Sequence, residues 1–423
     1  MIIYIAGFLI FLITPAALLP AVIAGYHFAD NKARNLAWSL LFALFMGFCG
    51  YCFKDPASNP DMVRYMAMLG NYYGKPLVES FNQSFENLYA VDIWFHIISL
   101  TGNKQLLPAS VTFIYYLIVF YVLGDFKNRF KLSIGDFALL FFWVFWASQY
   151  AFIINSFRSY VAYAMMFLGI YRMEIQKKTG PLLLFLFVCP LFMHFSSALL
   201  LILAVAAKII TKMRVKPWPL IIIGSVMMRS IVFTMNQAFM GISASGGIIG
   251  HIKTMVTKAE NYYSWNQGGW VDQVKNSGLY TVARIFCAGI VAFTLYVLLK
   301  EWFHKGMKEY SEGRKNSVIL KSEEFSSFMI IYLLFTAQTF LIAAPECFRF
   351  VFPALPYIGM IYMEATMNKQ VDNDDLLINR AFLVLAGLAG IVINVYNMNS
   401  MIPVGKYLLD SFSTGIIRIL LGA

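Results

Sequence analysis

The chain has 423 residues, of which 60% are hydrophobic and only 13% charged, and its mean hydropathy is +0.67. Soluble domains carry about 25% charged residues, so this composition excludes a soluble globular enzyme and points to a membrane. The net charge of +11 reads as topology rather than nucleic-acid binding, because Lys and Arg collect in short loops between apolar runs and such clusters stay on the cytoplasmic side.

A helix needs about 20 mostly apolar residues to cross a bilayer, and runs of that kind recur along the whole sequence. The first covers 3–25. No basic region precedes it and no small-residue cleavage site follows, so it reads as a span rather than a cleaved signal. The second covers 36–53; Cys49 and Cys52 at its end form a C-x-x-C outside the βαβ context of a redox motif. A polar segment follows, 54–105, with charges of both signs, many aromatics and an interfacial helix expected over about 88–100. Spans are expected next at 107–123, 136–153 and 157–171. Two short apolar arms come after them, 181–193 and 196–210. Further spans at 217–239, 278–299, 325–344, 349–367 and 381–399 complete the series, with a second polar excursion at 240–277 and an amphipathic tail over 400–423.

Whether 181–210 is one span or two arms decides the topology. As two arms it keeps the short basic loops on one face: 26–35, 125–136, 172–180, 208–218, 300–321 and 367–380 hold 20 of the 33 Lys and Arg. That is the pattern expected of inward-facing loops. The expectation is therefore an all-α fold, a polytopic integral membrane helical bundle of about 12 spans. It forms a single transmembrane domain over 1–423, with outer polar segments at about 54–105 and 240–277 and both termini outside. His194 then sits at the outer tip of a broken hairpin too short to cross comfortably, a shape tolerated where backbone lines a protein-enclosed cavity.

The candidate chemistry lies on the outer side. Arg158, Arg229, Arg284 and Arg349 are each flanked by apolar residues near the outer ends of spans, where they work against the topology rule. Charged groups at such depth are expensive, by roughly 2.5–3.5 kcal/mol on insertion scales, and usually face a wet cavity or a ligand. Guanidinium is permanently charged and forks onto phosphate oxygens, so several converging arginines suit a diphosphate. The blander reading is snorkelling to headgroups, or for Arg349 a pair with Glu346. His194, between Met193 and Phe195, is placed either to accept a proton from a sugar hydroxyl or, as imidazolium, to hold a diphosphate. In the outer segment Asp61 and Tyr65 are four residues apart and share a helical face, near Asp55 and Arg64. Carboxylates beside aromatics suit sugar binding, and an amphipathic helix is the plain alternative. The aromatics Tyr262, Tyr263, Trp265 and Trp270 with Asp272 read either way, as sugar contacts or as an interfacial belt.

No P-loop, G-x-G-x-x-G or H-E-x-x-H occurs. Asp372 to Asp375 form an acidic run in an inner loop too short for a nucleotide-sugar domain, and it reads as a solvated charge run. No metal and no cofactor is expected.

The pattern resembles the EpsG/Wzy family of bacterial polysaccharide polymerases. The features that carry the likeness are the Asp61/Tyr65 segment after the second span, Arg158 opening a span, the basic inner loop that follows and the Met193-His194-Phe195-Ser196-Ser197-Ala198 string. The last is similar to the family's His-x-Ser-Ala pattern; a late arginine near Arg349 also fits. The resemblance implies a metal-independent GT-C-like glycosyltransferase. It would move a growing glycan from undecaprenyl diphosphate onto the next lipid-linked repeat, at the outer face of a bacterial inner membrane. It also implies roles: Arg158 and Arg349 on the diphosphate, His194 on the acceptor hydroxyl, Asp61 on sugar. Tyr65, Arg229 and Arg284 join them as candidate substrate contacts. Expected partners are the lipid-linked oligosaccharide, membrane lipid, and a chain-length regulator and flippase; nucleic acid is not expected. The rival from another class is a lipid-linked oligosaccharide transporter or flippase, for which paired broken helices in two repeats would be the sign; the rival within the class is an O-antigen ligase.

Overall fold

The computed structural model describes residues 2–13, 17–53, 60–81, 88–213, 217–227, 230, 233–234, 237–238, 253, 257, 278–313, 318–341, 347–366, 373–399 and 401–413. Among these residues all regular structure is helical. Among the described residues four stretches are long and apolar enough to cross a membrane: Lys32–Tyr51, Leu106–Phe130, Tyr280–Lys300 and Arg380–Asn399. The chain divides into two compact units, one built from 1–197, 316–318 and 355–423, the other from 198–315 and 319–354.

The first unit begins with α1 (Ile2–Ile13) and α2 (Leu18–Phe28). The sequence reads 3–25 as one span, whereas two described helices flank 14–16. Pro20 sits in the first turn of α2, where its missing donor costs no intrahelical bond. Next is α3 (Lys32–Tyr51), whose N-cap Asn31 accepts the Arg34 N–H through its side chain at 3.0 Å. The polar segment expected over 54–105 holds α4 (Asp61–Met68), the short α5 (Leu77–Ser80) and α6 (Tyr89–Leu100), the last at the helix expected over 88–100.

The long helix α7 (Leu106–Phe130) lies antiparallel against α3. Asn35 donates to the Tyr121 carbonyl at 3.2 Å near one end, and Gly50 meets Pro108 at the other. The approach is tight. A Cβ on Gly50 would lie 2.4 Å from the Pro108 carbonyl oxygen, and one on Gly124 would lie 1.6 Å from Asn35 Oδ1, so only glycine allows the two helices this close. α7 runs past its apolar run because its polar end is satisfied internally. Lys127 Nζ donates to the carbonyls of Tyr26 at 2.8 Å and Ala29 at 3.2 Å.

The run expected as one span over 136–153 is two helices, α8 (Ile134–Ala147) and α9 (Tyr150–Asn155). Gln149 between them is left-handed, with φ of 49°, a conformation that ends a helix and is uncommon for a residue with a side chain. Its amide donates to the Gly390 carbonyl at 2.9 Å, which holds the break. α10 (Phe157–Glu174) follows and runs parallel to α7: Tyr115 meets Tyr160 near one end and Tyr171 donates to Asp125 near the other. α11 (Pro181–Leu191) then returns antiparallel along α10, with Phe187 against Gly169.

α11 is 11 residues, about 16 Å of helix, half of a hydrocarbon core. The chain breaks over 192–196 before α12 (Ser197–Lys212) starts, and α12, apart from its first residue, belongs to the second unit. The first unit is completed by α17 (Asn373–Asn399) and α18 (Val404–Ser413). The Tyr407 hydroxyl donates to the Cys49 carbonyl at 2.7 Å, and Cys49 and Cys52 are buried free thiols.

The second unit contains nearly all of α12, then α13 (Trp218–Val226), α14 (Gly278–Gly313), α15 (Glu323–Leu341) and the start of α16 (Cys347–Thr366). α14 extends well into the stretch read as an inner loop, 300–321. The excursion at 240–277 lies almost wholly outside the described residues, as do Asp55, Arg229, Glu346 and Asp372.

Candidate functional site

The site is built where the polar segment that holds α4 docks on the junction of α9 and α10. α4 starts with a contact across 94 residues: the Asp61 N–H donates to Asn155 Oδ1 at 2.6 Å. Asn155 ends α9, so it serves as a side-chain acceptor for an orphan donor at the start of another helix. That latch fixes α4, and α4 presents Tyr65 one turn on. The Tyr65 ring is 4% exposed and edge-packed by Phe157 at 5.1 Å and Phe95 at 6.2 Å.

Two guanidinium groups approach this ring. Arg158 Cζ lies 5.3 Å from its centroid and Arg64 Cζ 5.5 Å, both inside cation–π range. Arg64 also pairs with Asp61 at 2.9 Å, with both side chains about half exposed. Such an exposed pair contributes only about 0–1 kcal/mol. Arg158 instead lines a pocket with six uncharged side chains, Tyr65, Met68, Tyr72, Leu88, Val91 and Phe95. The space among them, counting its opening to solvent, is about 220 Å³.

Below the pocket, Tyr72 donates to Asp92 Oδ1 at 2.8 Å, and Asp92 is fully buried within α6. Burial first, and then the Asp92 carboxylate, push the Tyr72 phenol well above its usual value.

His194 is joined to the same end of the unit. The Ala90 N–H of α6 donates to the Phe192 carbonyl at 3.2 Å, and Tyr89 meets Phe192 ring to ring at 6.0 Å. The hairpin tip is thus tied to the helix that walls the Arg158 pocket. Within the tip, His194 Nδ1 and the Tyr163 hydroxyl both hydrogen-bond to Ser196 Oγ, and the Tyr163 ring stands edge-on to the imidazole at 6.1 Å. Tyr163 is five residues after Arg158 on α10, about 7.5 Å further along the axis. His194 is not among the residues that line the Arg158 pocket.

In the second unit, Arg349 lies in the first turn of α16, between Phe348 and Phe350. Phe348 packs edge-on against Tyr280 at 5.2 Å, and the Phe350 carbonyl accepts from the Tyr332 hydroxyl at 2.6 Å. Arg284 stands one turn beyond Tyr280 on the same face of α14. Arg284 and Arg349 therefore occupy adjoining helix starts.

Of the residues singled out in the sequence, the structure brings Asp61, Tyr65 and Arg158 together and ties the His194 tip to their wall. It engages the Tyr65 ring with guanidinium and aromatic neighbours. Asn155, Tyr72, Asp92 and Tyr163 were not singled out. Asp92 carries a signal in retrospect: an acid inside an otherwise apolar helical stretch. No family model, no curated protein and no solved structure matches the chain.

Proposed function

We propose that this protein is a polymerase of undecaprenyl-diphosphate-linked oligosaccharide repeat units. It would be a multi-pass bacterial inner-membrane bundle of about 12 spans, GT-C-like, acting at the outer face without metal. The observation that carries this reading is the placement of Arg158, a permanent cation held on an aromatic ring in a half-enclosed, otherwise uncharged pocket. A guanidinium presents a planar fork of N–H donors that matches phosphate oxygens.

In the reaction, the acceptor hydroxyl attacks the anomeric carbon of the growing glycan. A new C–O bond forms, the bond to undecaprenyl diphosphate breaks, and the diphosphate leaves as an anion. Arg158 stabilises that developing charge; Arg349, Arg284 and Arg229 are proposed from the sequence alone as further substrate contacts. His194 takes the acceptor proton, its Nδ1 hydrogen-bonded to Ser196 and its Nε2 facing the substrate as base. Tyr65 acts as the platform for Arg158, and Asp61 contributes to sugar binding at the exposed end of α4. A chain-length regulator and a flippase are the partners this role implies.

Product size in a strain lacking the gene tests the reading. Glycan stopped at one repeat is the expected result. Long glycan left on undecaprenyl diphosphate would make the protein a ligase, and intermediate held on the inner leaflet would make it a flippase.

A further inference from the structure

The end of the first unit opposite Arg158 carries a second cationic cluster, which the proposed reaction does not use. Three helix ends build it. Lys32 opens α3, Arg129 lies in the last turn of α7 and Arg172 in the last turn of α10. Beyond α10 the chain turns back on itself. The N–H groups of Ile175 and Gln176 both donate to the Tyr171 carbonyl, at 2.9 and 3.1 Å, and that of Lys178 donates to the Arg172 carbonyl at 3.0 Å. Lys177 and Gly180 take positive φ, 51° and 120°, to make the turn. Lys178 is thereby carried back beside Arg172.

The carboxylates at this end are already engaged. Asp125 accepts from Arg129 Nε at 2.7 Å and from the Tyr171 hydroxyl at 3.0 Å, and Glu174 pairs with Lys177 at 3.6 Å. Lys32, Arg172 and Lys178 are left in mutual repulsion. Burial, then Lys32 and Arg172, hold the Lys178 ammonium below its usual value, with Asp125 opposing. Among the described residues, the buried Nε of Arg172 has no hydrogen-bond partner, nor do the amide nitrogen and oxygen of Gln176, which is 9% exposed in the same turn. Buried donors in native proteins are nearly always matched, by protein, water or a bound ion.

We propose that Arg172 and Lys178, with Lys32 as a third cation, form a binding site for a phosphate group. The group is the phosphodiester of an anionic lipid head group or free phosphate. A guanidinium and an ammonium on one oxyanion make the charge-assisted contacts this chemistry favours. The site stands apart from Arg158 and does not depend on the polymerase reading.

The test uses full-length protein in phosphatidylcholine nanodiscs with and without a minority of phosphatidylglycerol. Retained lipid is identified by native mass spectrometry, and melting is followed with and without inorganic phosphate. The variants are Arg172→Gln and Lys178→Gln, with Lys212→Gln, an exposed lysine of the second unit, as the equal-charge control. Wild type and control are expected to retain phosphatidylglycerol, and each site variant to bind it about tenfold more weakly. If inorganic phosphate instead raises the melting temperature of wild type and control but of neither site variant, the ligand is free phosphate and the site stands. If Arg172→Gln does not fold, Lys178→Gln, on the turn, gives the same reading alone. Equal loss in the control, or no difference between wild type and Lys178→Gln with either probe, would overturn the proposal.

Discussion

The guanidinium carbon of Arg158 lies 5.3 Å from the centre of the Tyr65 ring, and the two residues come from segments 93 positions apart in sequence. The ring is held in turn by Phe157, the neighbour of Arg158 on α10, and by Phe95 on α6. The cation is thus aimed by a platform that belongs to α4 in the polar segment. A cation–π contact is worth about 0.5–1 kcal/mol when exposed and about 2 kcal/mol when desolvated. Tyr65→Phe keeps the ring and should leave polymer yield within about twofold of wild type. Tyr65→Leu removes the platform and should lower yield by about tenfold, as 1.4 kcal/mol corresponds to tenfold. Glycan ladders at matched protein level measure both.

Asn155 supplies the acceptor for the first donor of α4. Loss of a capping acceptor typically costs about 1 kcal/mol. Asn155→Ala should therefore loosen the polar segment without unfolding the bundle. Amide hydrogen exchange over 61–68 should rise several-fold, with exchange over 106–130 unchanged. Asn155→Asp keeps the oxygen and should stay close to wild type. Unchanged exchange in Asn155→Ala would show that α4 is held by Tyr65 alone.

Much of the bundle is legible in the sequence, because apolar runs of set length have few options in a bilayer. α3, α6 and the break between α11 and α12 fall where the runs and their polar interruptions place them. The break between α8 and α9 does not, since hydropathy is blind to the backbone angle of Gln149 and to its bond with Gly390. The site was legible only in part. Arg158 and His194 stand out as polar groups in apolar stretches. The latch from Asn155 to Asp61 and the Tyr163–Ser196–His194 chain join residues far apart in sequence, or hidden among ordinary helix residues. Their partners exist only once the helices pack.

Tyr72 gives the polar segment a defined pH response. Its phenol is raised above its usual value of about 10 by burial and then by Asp92. A raised value means the neutral phenol is favoured by folding. Its contribution is complete below about pH 10 and is lost as pH climbs through the folded value. Melting curves should therefore show no dependence on Tyr72 between neutrality and about pH 9, and a loss of stability at higher pH. Tyr72→Phe should reduce that alkaline loss, at a baseline penalty of about 1–3 kcal/mol for the hydrogen bond removed from Asp92.

Ser196 is the link between His194 and Tyr163. Ser196→Ala leaves the imidazole in place but removes the group that orients it. Turnover should fall between about tenfold and a hundredfold, the range for a misplaced catalytic group. The pH profile should move as well, because Nδ1 loses its partner, and Ser196→Thr should restore both. A rate loss with an unshifted profile would leave Ser196 a packing residue.

The most direct measurement is the length distribution of glycan made by Arg158→Ala and Arg158→Lys in a strain lacking the native gene, with both variants present in the membrane at wild-type level. The account predicts single-repeat product for Arg158→Ala and strongly shortened ladders for Arg158→Lys, because a point charge does not fork onto phosphate. Full-length ladders from Arg158→Ala would contradict it.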